Sequence, residues 1–511
     1  MTRLGTFALL YMTAVLLELV ERWRHPSATL AALALVVVML RVGITRATFL
    51  GFLGLSTAYF LLAGFPDVAN HVNIIIYCNI LLMAGIGYSL ARRRDFPADD
   101  DAYEMLRPVL QASLILVYVL AGFAKLNRDF LDPGVSCVGN MVADLVRLRN
   151  SSVAGVPTLL LVLASLVIAA DLLLASSGRQ QLRWWVRGGG LAVGLAGLLL
   201  APRLPPGGPA PAAGSVLLAM AALVILWELV GGALLAVPRL QAPVLAFSWT
   251  MHASLALIGF VDFGGLALAL LFTFVPGPWL ELLGRPVRAP FLARPVHRAY
   301  LYFAICVVAG VFSGLGRRTP AGLFFNLAAL VLIWPLLAAA LGGARPAWPG
   351  VPLSSGATPR WMLAFPVLLL LFGLTSYLGL RTAGNFTMFS NLRTEGERSN
   401  HLLLGGNPLK RWGYQEDLVR FTHIDDGRAE IGYNYQPLEG HLLPVVEFRK
   451  LIRQWTRAGR TVPMTFEYRG QVHTTGDIAQ DPAWRTPRRD WEMRLMDFRV
   501  VQGEGANRCR W

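Results

Sequence analysis

Apolar blocks of about twenty residues, nearly free of charge, recur between residues 1 and 380 and constrain this chain more than any motif does. They fall near 4–22, 27–45, 47–65, 72–91, 107–125, 155–176, 186–201, 214–236, 242–260, 262–280, 299–316, 321–342 and 361–380. Runs of that length cross a bilayer, where only helices and closed barrels satisfy every backbone N–H and C=O. The period-two alternation of a barrel is missing, and the chain is 55% hydrophobic with only 15% charged residues. Such a chain reads as an all-α polytopic membrane protein of about thirteen spans with a small C-terminal α+β extramembrane domain. The stretch 242–280 is too long for one span and should turn near Asp262-Phe263-Gly264-Gly265. Leu4 to Val20, with Glu18 and Glu21 near its end, lacks a small-residue cleavage site and reads as a first span or signal anchor.

A formal net charge of +15 raises nucleic acid as a partner, but arginine in short loops has a plainer role in setting membrane orientation. No nucleic acid is expected; the partners are membrane lipids and their anionic headgroups. Arg41, Arg46, the triple Arg92-Arg93-Arg94, Arg239 and the group Arg285 to Arg298 fall on one side, together with Arg179, Arg183 and Arg187. Asp67, the Lys125 patch, Asp262 and Arg317-Arg318 fall on the other. The N-terminus is then cytoplasmic and the tail after residue 380 extracytoplasmic.

The four cysteines stand alone, without a CxxC pair, which argues against a dithiol redox site. Two separate thiols are the default for Cys137 and Cys509. In an oxidising compartment they could instead pair and tie the tail to the loop after Lys125. In the tail, residues 381–511, Leu442 to Gly459 reads as one amphipathic helix. Val462 to Tyr468 and Met493 to Val501 alternate like strands, with Arg469-Gly470 as a turn. The polar cluster Phe389 to Glu395 with Ser399-Asn400-His401 is by default a surface loop, and by its position also a candidate lid.

Lys125 closes a greasy run and opens a polar patch with Asn127, Arg128 and Asp129. A lysine there either snorkels to the headgroups or, desolvated, acts as a base. Asn70-His71 precedes the fourth span, where Asn is an ordinary helix cap, and His252 lies mid-span. Glu228 is placed in the cytoplasmic half of its span, free to pair with a neighbouring arginine, and Asp171 is similar. No residue is read as a metal ligand.

Tyr118 through Phe130, Tyr-Val-Leu-Ala-Gly-Phe-Ala-Lys-Leu-Asn-Arg-Asp-Phe, resembles a segment of the vitamin K-dependent γ-glutamyl carboxylases and their bacterial relatives with a horizontally transferred transmembrane domain. Asn70-His71 looks like the family's Asn-His element, and His252 with Gly259, Phe260 and Phe263 like its later His…Gly-Phe element. The likeness covers about residues 5–280. The paired lysines of the animal enzymes are here Ala124-Lys125, and the tail is shorter than their lumenal region.

The resemblance implies that Lys125 acts as base on a reduced quinone, menaquinone or vitamin K-like, with O2 and CO2 as co-substrates. Reaction with oxygen then yields an epoxide and a strong base that abstracts a γ-proton from glutamate, so that CO2 adds. It also implies that His252, Asn70, His71 and Asn127 bind or shape the quinone site. A lipid-soluble quinol would enter from the membrane, and a protein or peptide substrate would meet the outer face. A transporter or a non-catalytic scaffold with a partner-binding tail are the competing expectations; a transporter should line a polar path through broken helices.

Overall fold

The computed structural model describes residues 2–22, 26–64, 68–142, 213–284, 294–341, 357–425, 428–431, 434–485, 492 and 495–509. Asp171, the expected spans 155–176 and 186–201, and Arg179, Arg183 and Arg187 lie outside the described residues. Helices dominate, with a small sheet near the C-terminus. Six of the described helices are long and apolar enough to cross a membrane: Arg3–Glu21, Asn70–Ala91, Asp99–Ala124, Gly214–Leu234, Pro295–Gly314 and Arg318–Leu337. Pro26–Val42, Arg46–Leu62, Val261–Phe272 and Arg360–Gly373 are apolar but shorter.

The Arg3–Arg22 helix is the centre of the bundle, because a helix apolar on every side has no face to give to water. Every residue from Leu4 to Val20 is buried. It packs against the Val261–Phe272 and Pro295–Gly314 helices, where Gly265 and Gly310 let the backbones approach. At the periphery Val42, Leu62, Leu223 and Leu226 project outward, as lipid-facing side chains should.

The turn expected at Asp262-Gly265 lies earlier, at Ile258-Gly259-Phe260. Gly259 has φ +113, and a Cβ there would meet the Arg318 side chain at 2.6 Å. A residue without a Cβ is therefore required at this point, and Asp262 enters the first turn of the next helix.

In the tail, β1 (Leu418–Ile424), β4 (His441–Pro444), β5 (Met464–Tyr468), β6 (Gln471–Thr475) and β7 (Val501–Gln502) form an antiparallel sheet in the order β6-β5-β1-β4-β7. The hairpin of β2 (Arg428–Ile431) and β3 (Asn434–Pro437) is separate. Arg469 and Gly470, with φ 51 and 77, make the expected turn between β5 and β6. The expected helix starts at Val445 and ends at Arg457. Its first residues, Leu442 to Pro444, instead pair with β1 as part of β4. Among the described residues of the strand expected over Met493–Val501, only Val501 is in a strand, Val501–Gln502. Before it, Asp497 O accepts from Thr382 and Ala383, and Phe498 N donates to Glu447, so that backbone ties the start of the tail and its helix together rather than extending the sheet.

Candidate functional site

The Asp99–Lys125 helix opens on Asp99, Asp100 and Asp101, whose charges suit a helix N-terminus. It ends at Lys125 because Asn127 starts a new short helix, its Oδ1 accepting from Phe130 N at 2.8 Å. Lys125 is buried, and its Nζ donates to Glu228 Oε2 at 2.7 Å. An ammonium at the headgroups would not be so enclosed, so the snorkelling reading fails on the geometry.

Glu228 comes from the helix that begins at Ala213 and tightens into a π-turn over Trp227–Gly231. Two glycines allow the crossing. A Cβ on Gly122 would meet Leu229 N at 2.8 Å, and one on Gly232 would meet Tyr118 Cβ at 2.6 Å. The expected partner of Glu228, an arginine, is thus replaced by Lys125, because this close crossing brings the two helices level at that point.

The pair faces a cavity of about 150 Å³ lined mainly by apolar side chains from several helices, among them Ile74, Leu114, Leu266 and Leu270. Tyr118 and His252 stand on its walls, with Tyr118 Oη 2.7 Å from His252 Nε2. His252 Nδ1 is buried and has no hydrogen-bond partner among the described residues. The edge of Phe263 steadies the ring at a centroid distance of 5.1 Å. His252 also borders a second apolar cavity of about 250 Å³ between the Pro238–Leu257 and Arg318–Leu341 helices.

Phe386, Met388 and Phe389 of the tail segment also line the first cavity. Phe386, Phe389 and Asn391 have φ 67, 51 and 54, a left-handed conformation that costs about 1–2 kcal/mol for each residue with a side chain. Such backbone persists only where its surroundings over-determine it. Asn70 Oδ1 accepts from Phe386 N at 2.8 Å. Asn127 Nδ2 donates to Ser390 O. Asn391 Oδ1 accepts from Cys137 N, and its Nδ2 donates to Val135 O and Asn507 O, each at 2.9 Å. Asn400 donates to Asp129 Oδ2 at 2.8 Å. His401 Nδ1 accepts from Leu403 N and Leu404 N, so Nε2 carries the proton it gives to Phe123 O at 2.9 Å. Burial pushes this imidazole below its usual pKa, against a smaller pull from the Phe123 carbonyl, which keeps it neutral. Cys137 and Cys509 are joined as a disulfide, contrary to the default of separate thiols. Their neighbouring backbone is already paired, Cys509 N to Val135 O, which brings the sulfurs together.

Of the residues singled out in the sequence, Lys125 and His252 meet at one cavity. Asn70 is the first residue of its helix rather than the cap, which is Ala69, and it holds the tail. Asn127 is likewise spent on backbone groups of Ala124, Phe130 and Ser390. His71 lies behind Phe263, its Nε2 2.8 Å from both Glu18 Oε2 and Asp262 Oδ2. Phe389 lies in the cluster expected as a surface loop or lid, and Glu228 is given an arginine partner by the sequence; the role of Tyr118 beside His252, the Lys125–Glu228 pairing, and Phe386 and Met388 are what the sequence does not announce. Gly122 and the pair Gly231-Gly232 were the available signal, since small residues mark close helix crossings. No family model, no curated protein and no solved structure matches the chain.

Proposed function

We propose that this protein is an integral membrane enzyme that acts on a lipid-soluble quinol, with Lys125 as the base, at a site open toward the outer face. One observation carries the reading: Lys125–Glu228 and Tyr118–His252 face a single apolar cavity inside a helical bundle, and one ring nitrogen of His252 is left to bind a ligand. The apolar walls suit a flat aromatic ring system, and the two polar pairs suit a hydroxyl at each end. When bound, a quinol supplies acidic hydroxyls and reducing equivalents for O2. Lys125 can accept a proton once its own has passed along the 2.7 Å hydrogen bond to Glu228, so the pair works as a base with a built-in proton acceptor. His252 Nδ1 orients the other end, and Tyr118 fixes the ring through Nε2. Phe386 and Phe389 help keep water from the cavity.

Carboxylation with CO2, of a protein or peptide presented at the outer face, is the finer part of the proposal and follows from the resemblance. Quinone content tests the binding step. Protein purified in mild detergent should carry a menaquinone or vitamin K-like quinone detectable by mass spectrometry, and His252→Leu should lower its occupancy about tenfold, the worth of one hydrogen bond. Equal occupancy in the variant would remove His252 from the site.

The proposed topology places the N-terminus in the cytoplasm and the tail outside; the six long and four shorter apolar helices make ten, and the Pro238–Leu257 helix with the expected spans 155–176 and 186–201 would bring the bundle to about thirteen. The Cys137–Cys509 disulfide supports it, since such bonds persist in oxidising compartments. A reporter fused after Trp511 should be active only outside, and non-reducing peptide maps should join the Cys137 and Cys509 peptides. Cytoplasmic reporter activity would overturn the orientation.

A further inference from the structure

The geometry points to a second site: Glu18, His71 and Asp262 form a buried binding site for one divalent first-row transition metal ion, the class of Mn²⁺, Fe²⁺ or Zn²⁺. The three donors come from three helices, Arg3–Arg22, Asn70–Ala91 and Val261–Phe272, so no spacing in the sequence announces them. One donor atom of each lies within 4.8 Å of the other two. His71 Nε2 is 2.8 Å from both carboxylates. Ligands bound to such an ion at 2.0–2.2 Å stand about 3.0–3.4 Å apart, so an ion replacing the shared protons needs the cluster to open by only a few tenths of an ångström.

Charge favours the same occupant. Two carboxylates, a neutral imidazole and a divalent ion sum to zero, the state that an enclosed site among apolar helices tolerates best. Imidazole with two carboxylates is a donor set that suits these metals rather than Ca²⁺ or Mg²⁺, which prefer oxygen alone. Three residues after Glu18, on the same helix, an oxygen of Glu21 is buried with no hydrogen-bond partner among the described residues. Phe263 stands between this site and the Lys125 cavity, its ring 6.2 Å from that of His71 and 5.1 Å from that of His252. The site therefore does not depend on the quinol reading.

Metal analysis of the full-length, tag-free protein, purified without chelator, tests it. Wild type should contain close to one equivalent of a single transition metal. The triple variant Glu18→Gln, His71→Gln, Asp262→Asn should contain less than about a tenth of that, in line with the loss of ligands. Should the triple variant fail to fold, wild type stripped with chelator supplies the second measurement. Its thermal midpoint should fall, and Mn²⁺ or Zn²⁺ alone should restore it while Mg²⁺ does not. Wild type that purifies metal-free and gains no stability from Mn²⁺, Fe²⁺ or Zn²⁺ overturns the site, as does full metal content in the triple variant.

Discussion

Lys125→Arg should lose quinol-dependent oxygen consumption as completely as Lys125→Ala, by at least about 10²-fold, the usual scale of a general base. The two variants fail for different reasons. Alanine removes the base and leaves Glu228 alone in the cavity wall. Arginine can keep the ion pair, and with it the packing of the Asp99–Lys125 helix against the helix that carries Glu228, yet a guanidinium does not give up its proton. Lys125→Arg should therefore be folded and inactive. Near wild-type turnover in that variant would mean that Lys125 serves only as the counter-ion of Glu228.

The ion pair itself should have a large and non-additive effect on stability. Lys125→Met or Glu228→Leu alone leaves one charge buried without its partner and should cost about 3–5 kcal/mol. The double variant replaces both by apolar groups of similar size and should be more stable than either single one. Unfolding of the four proteins in the same detergent gives the coupling energy. Costs that simply add would show that the two side chains do not interact, and the arrangement of the cavity would have to be redrawn.

The helical character of the chain was plain from its charge-free blocks, and the tail helix from its apolar period over Val445, Phe448, Leu451, Ile452 and Trp455. Element ends were less legible. Leu442 to Pro444 fit the helical pattern but are taken by β4, because pairing with β1 satisfies backbone that a helix terminus would leave open. Lys125 and His252 were legible as isolated polar groups in apolar runs. Their partners were not. Glu228 was assigned to the far side of the membrane by counting from loop charges, and a count along the chain cannot see a π-turn or a crossing set by Gly122 and Gly232. Asn70 and Asn127 look like ligands for the same reason that they are useful as braces: a short amide can satisfy several backbone groups at once.

The link from Cys137 to Cys509 also imposes an order on biosynthesis. Cys509 follows every described membrane helix and the entire sheet, and its partner lies 372 residues earlier. The ribosome has therefore released all of those helices before the bond can form. Until then the loop that Asn391 grips through Cys137 N–H is not yet bound to the chain's last cysteine, and the segment from Phe386 to Asn391 lacks one of its ties.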